Sequence, residues 1–200
     1  MAPSPAERAL SSRDQLLEVA ARHFASRGYA AVTIRDIADD LGIRQPSIYY
    51  HVPGGKQDLY VEVTLRHFER HREGALAAIG PETDSLEQRL RRFARWMLSR
   101  PPLDISRYVN SDYPELSPEA IARIEPAFQR CIFEPLEQIF TEGLSEVRPH
   151  LRDARRLCRV FFSVFESLNA ARRFWEAHTS EDAAIDWSLE LLLRGIEEKR

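Results

Sequence analysis

Between residues 11 and 52 the apolar positions recur at helical spacing in three short runs. In RDQLLEVAARHFASRGY, Leu16, Leu17, Ala20 and Phe24 fall on one face, with Ser11 or Ser12 placed to cap the run and Gly28 to end it. In TIRDIADDLG, Ile34, Ile37, Ala38 and Leu41 form an apolar face and Arg35, Asp39 and Asp40 the opposite one. Thr33 can accept the orphan amide three residues on, and Asp36 completes a capping box. Gly42 can take the positive φ that stops the helix, after which Ile43 can fold back onto the apolar face. The third run starts near Arg44 or Gln45 and tolerates Pro46 in its first turn. At about 100° per residue Ile48 is its core-facing residue, which leaves Pro46, Ser47, Tyr49 and Tyr50 outward.

Two short helices about a tight turn, the second with a polar and aromatic outer face, follow the plan of a helix-turn-helix. That device places a helix in the DNA major groove. The outward side chains suit it. Gln and Ser hydrogen-bond base edges, Pro and Tyr contact thymine methyls, and Tyr hydroxyls reach phosphates. Lys56 falls at the start of the next helix, where its charge and the first-turn amides could together hold a phosphate.

Beyond Lys56 the pattern stays helical. Leu59 to Ile79 predicts a long helix with Val61, Leu65 and Phe68 on one face, ended by Gly80-Pro81. Asp84 or Ser85 caps a helix through Leu98 whose charged face holds Arg89, Arg91, Arg92 and Arg95, ordinarily a solvated face. A short helix follows from about Leu103 to Asp112. Ser117, Pro118 and Glu119 then mark the start of a longer one. Pro126 and Pro135 should each kink or break it. Kinked helices leave gaps between neighbours, so Phe128, Cys131 and Phe133, with Trp96 and Tyr108 on nearby helices, are expected to line a mostly apolar ligand pocket. An ordinary aromatic core is the alternative for each of them.

The last two helices are the clearest amphipathic elements. Leu157, Val160, Phe161, Val164, Phe165 and Leu168 share one stripe, and Ile185, Leu189, Leu192, Leu193 and Ile196 another. Phe162, Phe174, Trp175, Trp187 and Leu191 lie off these stripes. One stripe can pack within the chain; the surplus needs a partner. A two-fold dimer pairing these helices with their copies would supply it, with Leu157, Phe161, Phe165, Leu168, Leu189, Leu192, Leu193 and Ile196 as interface candidates.

Composition narrows the function. Two hundred residues at 44% hydrophobic are enough for one large or two small helical domains. Met1 to Leu10, with Pro3 and Pro5, reads as a disordered leader. No apolar run approaches the roughly 18 residues of a membrane span, which predicts a cytoplasmic protein without membrane contact. The net charge of -3 divides unevenly: residues 1–72 carry 10 Lys or Arg against 9 Asp or Glu, the remainder 18 against 22. Such a mildly basic amino-terminal part argues against indiscriminate charge-driven binding and leaves room for a dimer reading a specific site. Cys131 and Cys158 lack CxxC spacing and read as buried free thiols. No catalytic constellation, cofactor motif or metal-spaced cluster stands out; His67 and His71 are expected to be solvated or partly packed.

The segment from Leu16 to Leu59 resembles the DNA-binding domain of the TetR family of bacterial transcriptional regulators. The resemblance rests on Leu16-Leu17, Ala20, Phe24, Gly28-Tyr29, Thr33-Ile34, Asp36-Ile37-Ala38, Leu41-Gly42-Ile43, Ile48-Tyr49, His51 and Lys56, and it covers the first 60 to 70 residues. It implies phosphate contacts from Thr33, Tyr49 and Lys56, and base contacts from Gln45, Pro46, Ser47 and Tyr50. Arg44 stands where the family usually has a Ser or Thr cap, so it is either a poor cap or itself a DNA contact; His51 closes the helix and is counted with its DNA-binding residues. Val52 to Lys56 is one residue longer than the family spacing. The resemblance also implies a small-molecule site in the carboxy-terminal domain.

The expectation is therefore an all-α chain of about nine helices: a leader (1–10), a helix-turn-helix domain (11–58) and a helical effector-binding and dimerisation domain (59–200). Its function would be that of a homodimeric, non-enzymatic transcriptional regulator, most simply a repressor, on a palindromic double-stranded operator. A small hydrophobic or amphipathic effector would release it. An all-α ligand-binding or enzymatic protein with a merely structural helix-turn-helix is the alternative.

Overall fold

The computed structural model describes residues 5–103, 107–175 and 178–196, with side chains from residue 12 to residue 195. Those residues contain ten α-helices and no strand. They divide into two compact units, Met1–Phe68 with Ile105–Ala127, and Glu69–Asp104 with Phe128–Arg200. The first unit takes in more than residues 11–58, because a later stretch of chain is hydrogen-bonded into it.

In the first unit α1 (Pro5–Ala31) begins before the serines expected to cap it. It is interrupted where expected: Gly28 sits at φ 75, ψ 172. α2 (Ile34–Leu41) has the full capping box, with the Asp36 N–H on the Thr33 hydroxyl at 3.2 Å and the Thr33 N–H on the Asp36 carboxylate at 2.8 Å. Gly42 closes it at φ 64, and the Ile43 N–H returns to the Ala38 carbonyl at 3.0 Å. Only the backbone folds back, since the Ile43 side chain stays 38% exposed. α3 (Gln45–His51) has Pro46 in its first turn and no side-chain cap from Arg44. α4 (Gly55–Ile79) follows. Leu16, Leu17, Ala20, Phe24, Val32, Ile37, Ala38, Ile48, Val52 and Leu59 form the buried centre of this unit.

α5 (Leu86–Leu98) starts from the expected Ser85 cap, in a box with Gln88. The stretch predicted as a helix from Leu103 to Asp112 is a π-helical turn over Tyr108–Asp112, and residues 104–106 lie outside the described ones. A 3-10 turn (Tyr113–Glu115) leads to α6 (Pro118–Phe128). Pro126 does not end α6; the helix changes character only at Gln129–Phe133, a π-helical segment before α7 (Glu134–Glu142). The Glu134 N–H reaches the carbonyl five residues back, on Gln129, next to Pro135, which has no N–H to give. α8 (Ala154–Ala170) is capped by Asp153, α9 (Arg172–Trp175) is one turn, and α10 (Glu181–Ile196) closes the described chain.

The arginine face of α5 is not the solvated face its pattern suggested. Arg89 is buried and its Nη1 meets Glu142 at 2.6 Å, tying α5 to α7. Arg95 meets Asp182 at 2.9 Å and Arg91 pairs with Asp186, tying α5 to α10; Arg92 meets Asp84 at 2.6 Å. Buried Asn169 donates to the carbonyls of Met97 and Arg100 at 3.1 and 2.9 Å, satisfying the end of α5. Asp84 lies near Arg92 in the chain, but the other acids and the carbonyls concerned lie about 50 to 95 positions away and are not announced locally.

Candidate nucleic-acid interface

α3 is pinned by one side chain. Ile48 is fully buried, and the six other residues of this helix take their exposure from that anchor. Gln45, Pro46 and Ser47 are exposed; Tyr49 is 47% and Tyr50 83% exposed; His51 is half-buried with its ring edge against Tyr50 at 5.4 Å. An outer face with a primary amide, a hydroxyl, a proline and two phenols offers donors and acceptors of both senses together with flat apolar surface. Those are the requirements for reading base edges and thymine methyls. The sequence expectation for this face matches the exposure residue by residue.

The two expected phosphate contacts at the ends of the motif stand differently. Thr33 is the cap of α2: its hydroxyl accepts from the Asp36 N–H and donates to the Asp36 carboxylate at 2.9 Å. The first-turn amides of α2 remain the better anion donors there. Lys56 is the second residue of α4. Its ammonium lies 4.2 Å from the centre of the Tyr29 ring and donates to the Ala30 carbonyl at 3.4 Å. Partial burial lowers its pKa, opposed by the carboxylates of Glu115 and Asp112. Arg44 is exposed beside α3. Around the motif Arg27 pairs with Asp36 at 3.3 Å, Arg35 with Asp39 at 3.6 Å, and Arg22 and His23 with Asp40 at 3.4 and 3.1 Å. The basic side chains here are thus largely matched by acids, in keeping with recognition by placed contacts rather than by bulk charge.

Residues 16–63 match the family profile described as bacterial regulatory proteins, tetR family. Over those residues the chain is of the TetR family. The HTH-type transcriptional repressor KstR2 of Mycolicibacterium smegmatis is 47% identical over 68 residues, which are 34% of this chain and 32% of that protein. The transcriptional activator FasR of the same organism is 32% identical over 122 residues, 60% of this chain and 54% of that protein. The chain thus matches about a third of the first of these relatives and about half of the second. Among solved structures, a transcriptional regulator from Saccharomonospora viridis in complex with choline covers 94% of this chain and 99% of its own, with a TM-score of 0.72 at 24% identity, a likeness of fold. No helix among the described residues is long and apolar enough to cross a membrane.

The ligand candidates are divided between the two units. Tyr108 belongs to the first unit, edge-on to Phe68 at 6.3 Å and to Tyr113 at 5.6 Å. In the second unit Trp96 packs on His71 at 4.5 Å and Phe93 at 5.3 Å, with its indole N–H buried and unpartnered. Phe128, Phe133 and Phe162 form a chain of edge contacts at 5.4 and 5.0 Å, covered by the Arg159 guanidinium 4.1 Å from Phe133. Cys131 is buried and its thiol lies 3.3 Å from the Glu69 carboxylate. Burial, then Glu69, raises its pKa; burial pushes that of Cys158 up to about 12. Both cysteines are free. Phe133 and Cys131 are buried, as in the ordinary core that was the alternative reading, while Trp96, Tyr108 and Phe128 are half-buried. The second unit does hold a cavity of about 260 Å³, lined by other residues, among them Leu90, Phe140, Leu157, Phe161 and Leu193, with His150, Asp153 and Arg156 as polar members. Helical spacing could not find it, because it lies where α5, α7, α8 and α10 approach one another.

The interface candidates also divide. Phe161, Phe165, Leu189 and Leu193 are buried within the chain, so these four are core rather than interface. Leu157, Leu168 and Leu192 are half-buried, and the side chain of Ile196 lies outside the described residues. The exposed apolar side chains on these helices are Val160 on α8 and Trp187 and Leu191 on α10, the last two 73% and 70% exposed, with Phe174 on α9. Trp187 and Leu191 are one turn apart and were legible as surplus beside the main stripe.

Proposed function

We propose that this TetR-family regulator is a homodimeric repressor that sets α3 of each subunit into a major groove of a palindromic operator, in the cytoplasm. A small hydrophobic or amphipathic effector would release it. The observation that carries the reading is α3 itself: one buried isoleucine, with Gln45, Pro46, Ser47, Tyr49 and Tyr50 presented together to solvent. A two-fold pairing of α8 and α10 is supported by the exposed apolar side chains Val160 on the one and Trp187 and Leu191 on the other. The effector's place is supported by the apolar cavity of about 260 Å³, where His150 and the paired Asp153 and Arg156 offer polar contacts to an otherwise hydrophobic molecule. Only a few kcal/mol of preference between two spacings of the recognition helices would release DNA.

Electrophoretic mobility shift with the DNA upstream of the protein's own gene, in excess nonspecific competitor and across a salt titration, tests it. A discrete competitor-resistant complex that is lost on replacing Gln45 and Tyr50 by Ala supports the reading. Unchanged affinity in both variants would overturn the assignment of α3. FasR is named an activator, which favours activation as the second reading; a reporter fused to the bound promoter separates the two by its sign in a deletion strain.

A further inference from the structure

The helix-turn-helix joins the rest of its unit at two points, the end of α1 before it and the start of α4 after it. The same later stretch of chain, Arg107 to Arg123, grips both. Arg107 donates to the carbonyl of Ala25 at 2.7 Å. Asp112, 3% exposed, accepts from the backbone N–H of Tyr29 at 2.8 Å and from the hydroxyl of Tyr60 at 3.0 Å, so one carboxylate ties the last turn of α1 to the second turn of α4. Gln57 and Ser117 exchange two hydrogen bonds, the Gln57 amide to the Ser117 hydroxyl at 3.1 Å and the Ser117 N–H to the Gln57 carbonyl oxygen at 2.9 Å. Arg123 pairs with Asp58 at 2.9 Å.

The fit is specific at the α1 end. The break at Gly28 turns the backbone so that the Tyr29 N–H is available to a side chain, and a Cβ on Gly28 would stand 3.0 Å from the Asp112 oxygen. The Tyr60 ring that reaches Asp112 is packed edge-on against Phe24 at 5.1 Å and Tyr29 at 4.9 Å. Tyr29 in turn carries Lys56 over its face. A buried carboxylate is costly unless its oxygens are satisfied, so the pocket that receives Asp112 holds it in one place. Its carrier is the π-helical turn Tyr108–Asp112, a rare geometry that tends to occur at functional positions.

We propose that Arg107–Arg123 is a clamp that fixes the end of α1 against the start of α4 and so orients α2 and α3, with Asp112 as a positioning residue for DNA recognition. The functional half of this inference rests on the DNA-binding reading above; the mechanical half does not. With Asp112 removed, the Tyr29 N–H and Tyr60 hydroxyl lose their acceptor, the two attachment points separate more readily, and α3 samples more orientations.

Hydrogen exchange of the full-length protein without DNA, with thermal unfolding in parallel, tests the clamp in Asp112→Ala, Asp112→Asn, Gln57→Ala and Ser117→Ala. Amides from residue 29 to residue 51 in Asp112→Ala should exchange about tenfold faster, as loss of a buried acceptor implies, while those of α5 and α8 keep their protection. Asp112→Asn, which can still accept from Tyr29, should lie between. On a site selected from random DNA by the wild-type protein, Asp112→Ala should bind about tenfold more weakly, with low-salt nonspecific binding nearly unchanged. If Asp112→Ala does not fold, Gln57→Ala and Ser117→Ala carry the same comparison. Unchanged exchange over residues 29–51 in the folded variants, or a uniform rise over the whole chain, overturns the clamp. A wild-type protein that selects no DNA site overturns the DNA-binding reading instead, and the exchange result still decides the clamp.

Discussion

α3 and α10 each turn two bulky side chains to solvent, Tyr49 and Tyr50 on one, Trp187 and Leu191 on the other, and the two pairs have different origins. On α3 the outward pair follows from short-range signals. A cap at Thr33, the left-handed Gly42 and the lone apolar residue Ile48 leave the helix one way to sit, and every side of it is then settled. On α8 and α10 the apolar residues exceed one stripe, so which of them faces inward depends on α5 and α7, far away in the chain. There the more regular stripe, Phe161, Phe165, Leu189 and Leu193, was taken by the core, and the less regular one was left outside.

The largest effects should come from exchanging these roles. Phe165 is fully buried and stacked on Phe161 at 4.4 Å, so Phe165→Ala should lower stability by about 3–5 kcal/mol in denaturant titration. Trp187→Glu should leave the protomer fold intact by circular dichroism and shift the mass in sedimentation from two subunits toward one. A dimer that survives both Trp187→Glu and Leu191→Glu would break the comparison, since these exposed side chains would then have no partner.

The buried arginine of α5 gives the next largest. Glu142→Ala strands a cation that is almost wholly buried and whose Nε and Nη2 have no other partner, at a cost of about 3 kcal/mol, reduced somewhat because Glu142 itself is partly exposed. Arg89→Met removes the charge with the stem retained and should cost less than Glu142→Ala. The reverse order in melting experiments would show that Arg89 is held by more than its ion pair. On the recognition helix the sign of the comparison changes: Tyr50→Ala should move stability by no more than about 0.5 kcal/mol yet weaken specific DNA binding by about 1–3 kcal/mol in fluorescence anisotropy.

The same contrast explains what could be read in advance. Ser85 and Thr33 as caps, Gly28 and Gly42 as stops, and Ile48 as the anchor of α3 are decided within a few residues of themselves, and each stands where periodicity placed it. Asp112, Gln57, Arg89 and Asn169 are decided by partners about 50 to 80 positions distant, and nothing in their own neighbourhood distinguishes them from solvated polar residues. A polar residue in the expected short helix before the Ser117-Pro118 start was a weak hint at most. The proline rule needed the same correction: Pro126 lies on an exposed side of α6, where a missing N–H is cheap, and the helix yields only beside Pro135, which is buried.

The smallest expected effect tests the local end of the comparison most directly. Thr33→Ala removes the acceptor of the Asp36 N–H and should cost about 1 kcal/mol, the usual worth of a helix cap, with α2 fraying first in hydrogen exchange. The other half of the box titrates. The Thr33 N–H, then its hydroxyl, hold the Asp36 carboxyl below the ordinary carboxylate range. Its folded pKa is therefore lower than its unfolded one, so its contribution is complete above about pH 5 and is lost as pH falls through the folded value. The gap between wild type and Asp36→Asn should accordingly be constant from neutral pH down to about pH 5 and shrink below it. A gap that instead widens on acidification would mean that Asp36 is stabilised protonated, and the cap that orients α2 would then be held by the Thr33 hydroxyl alone.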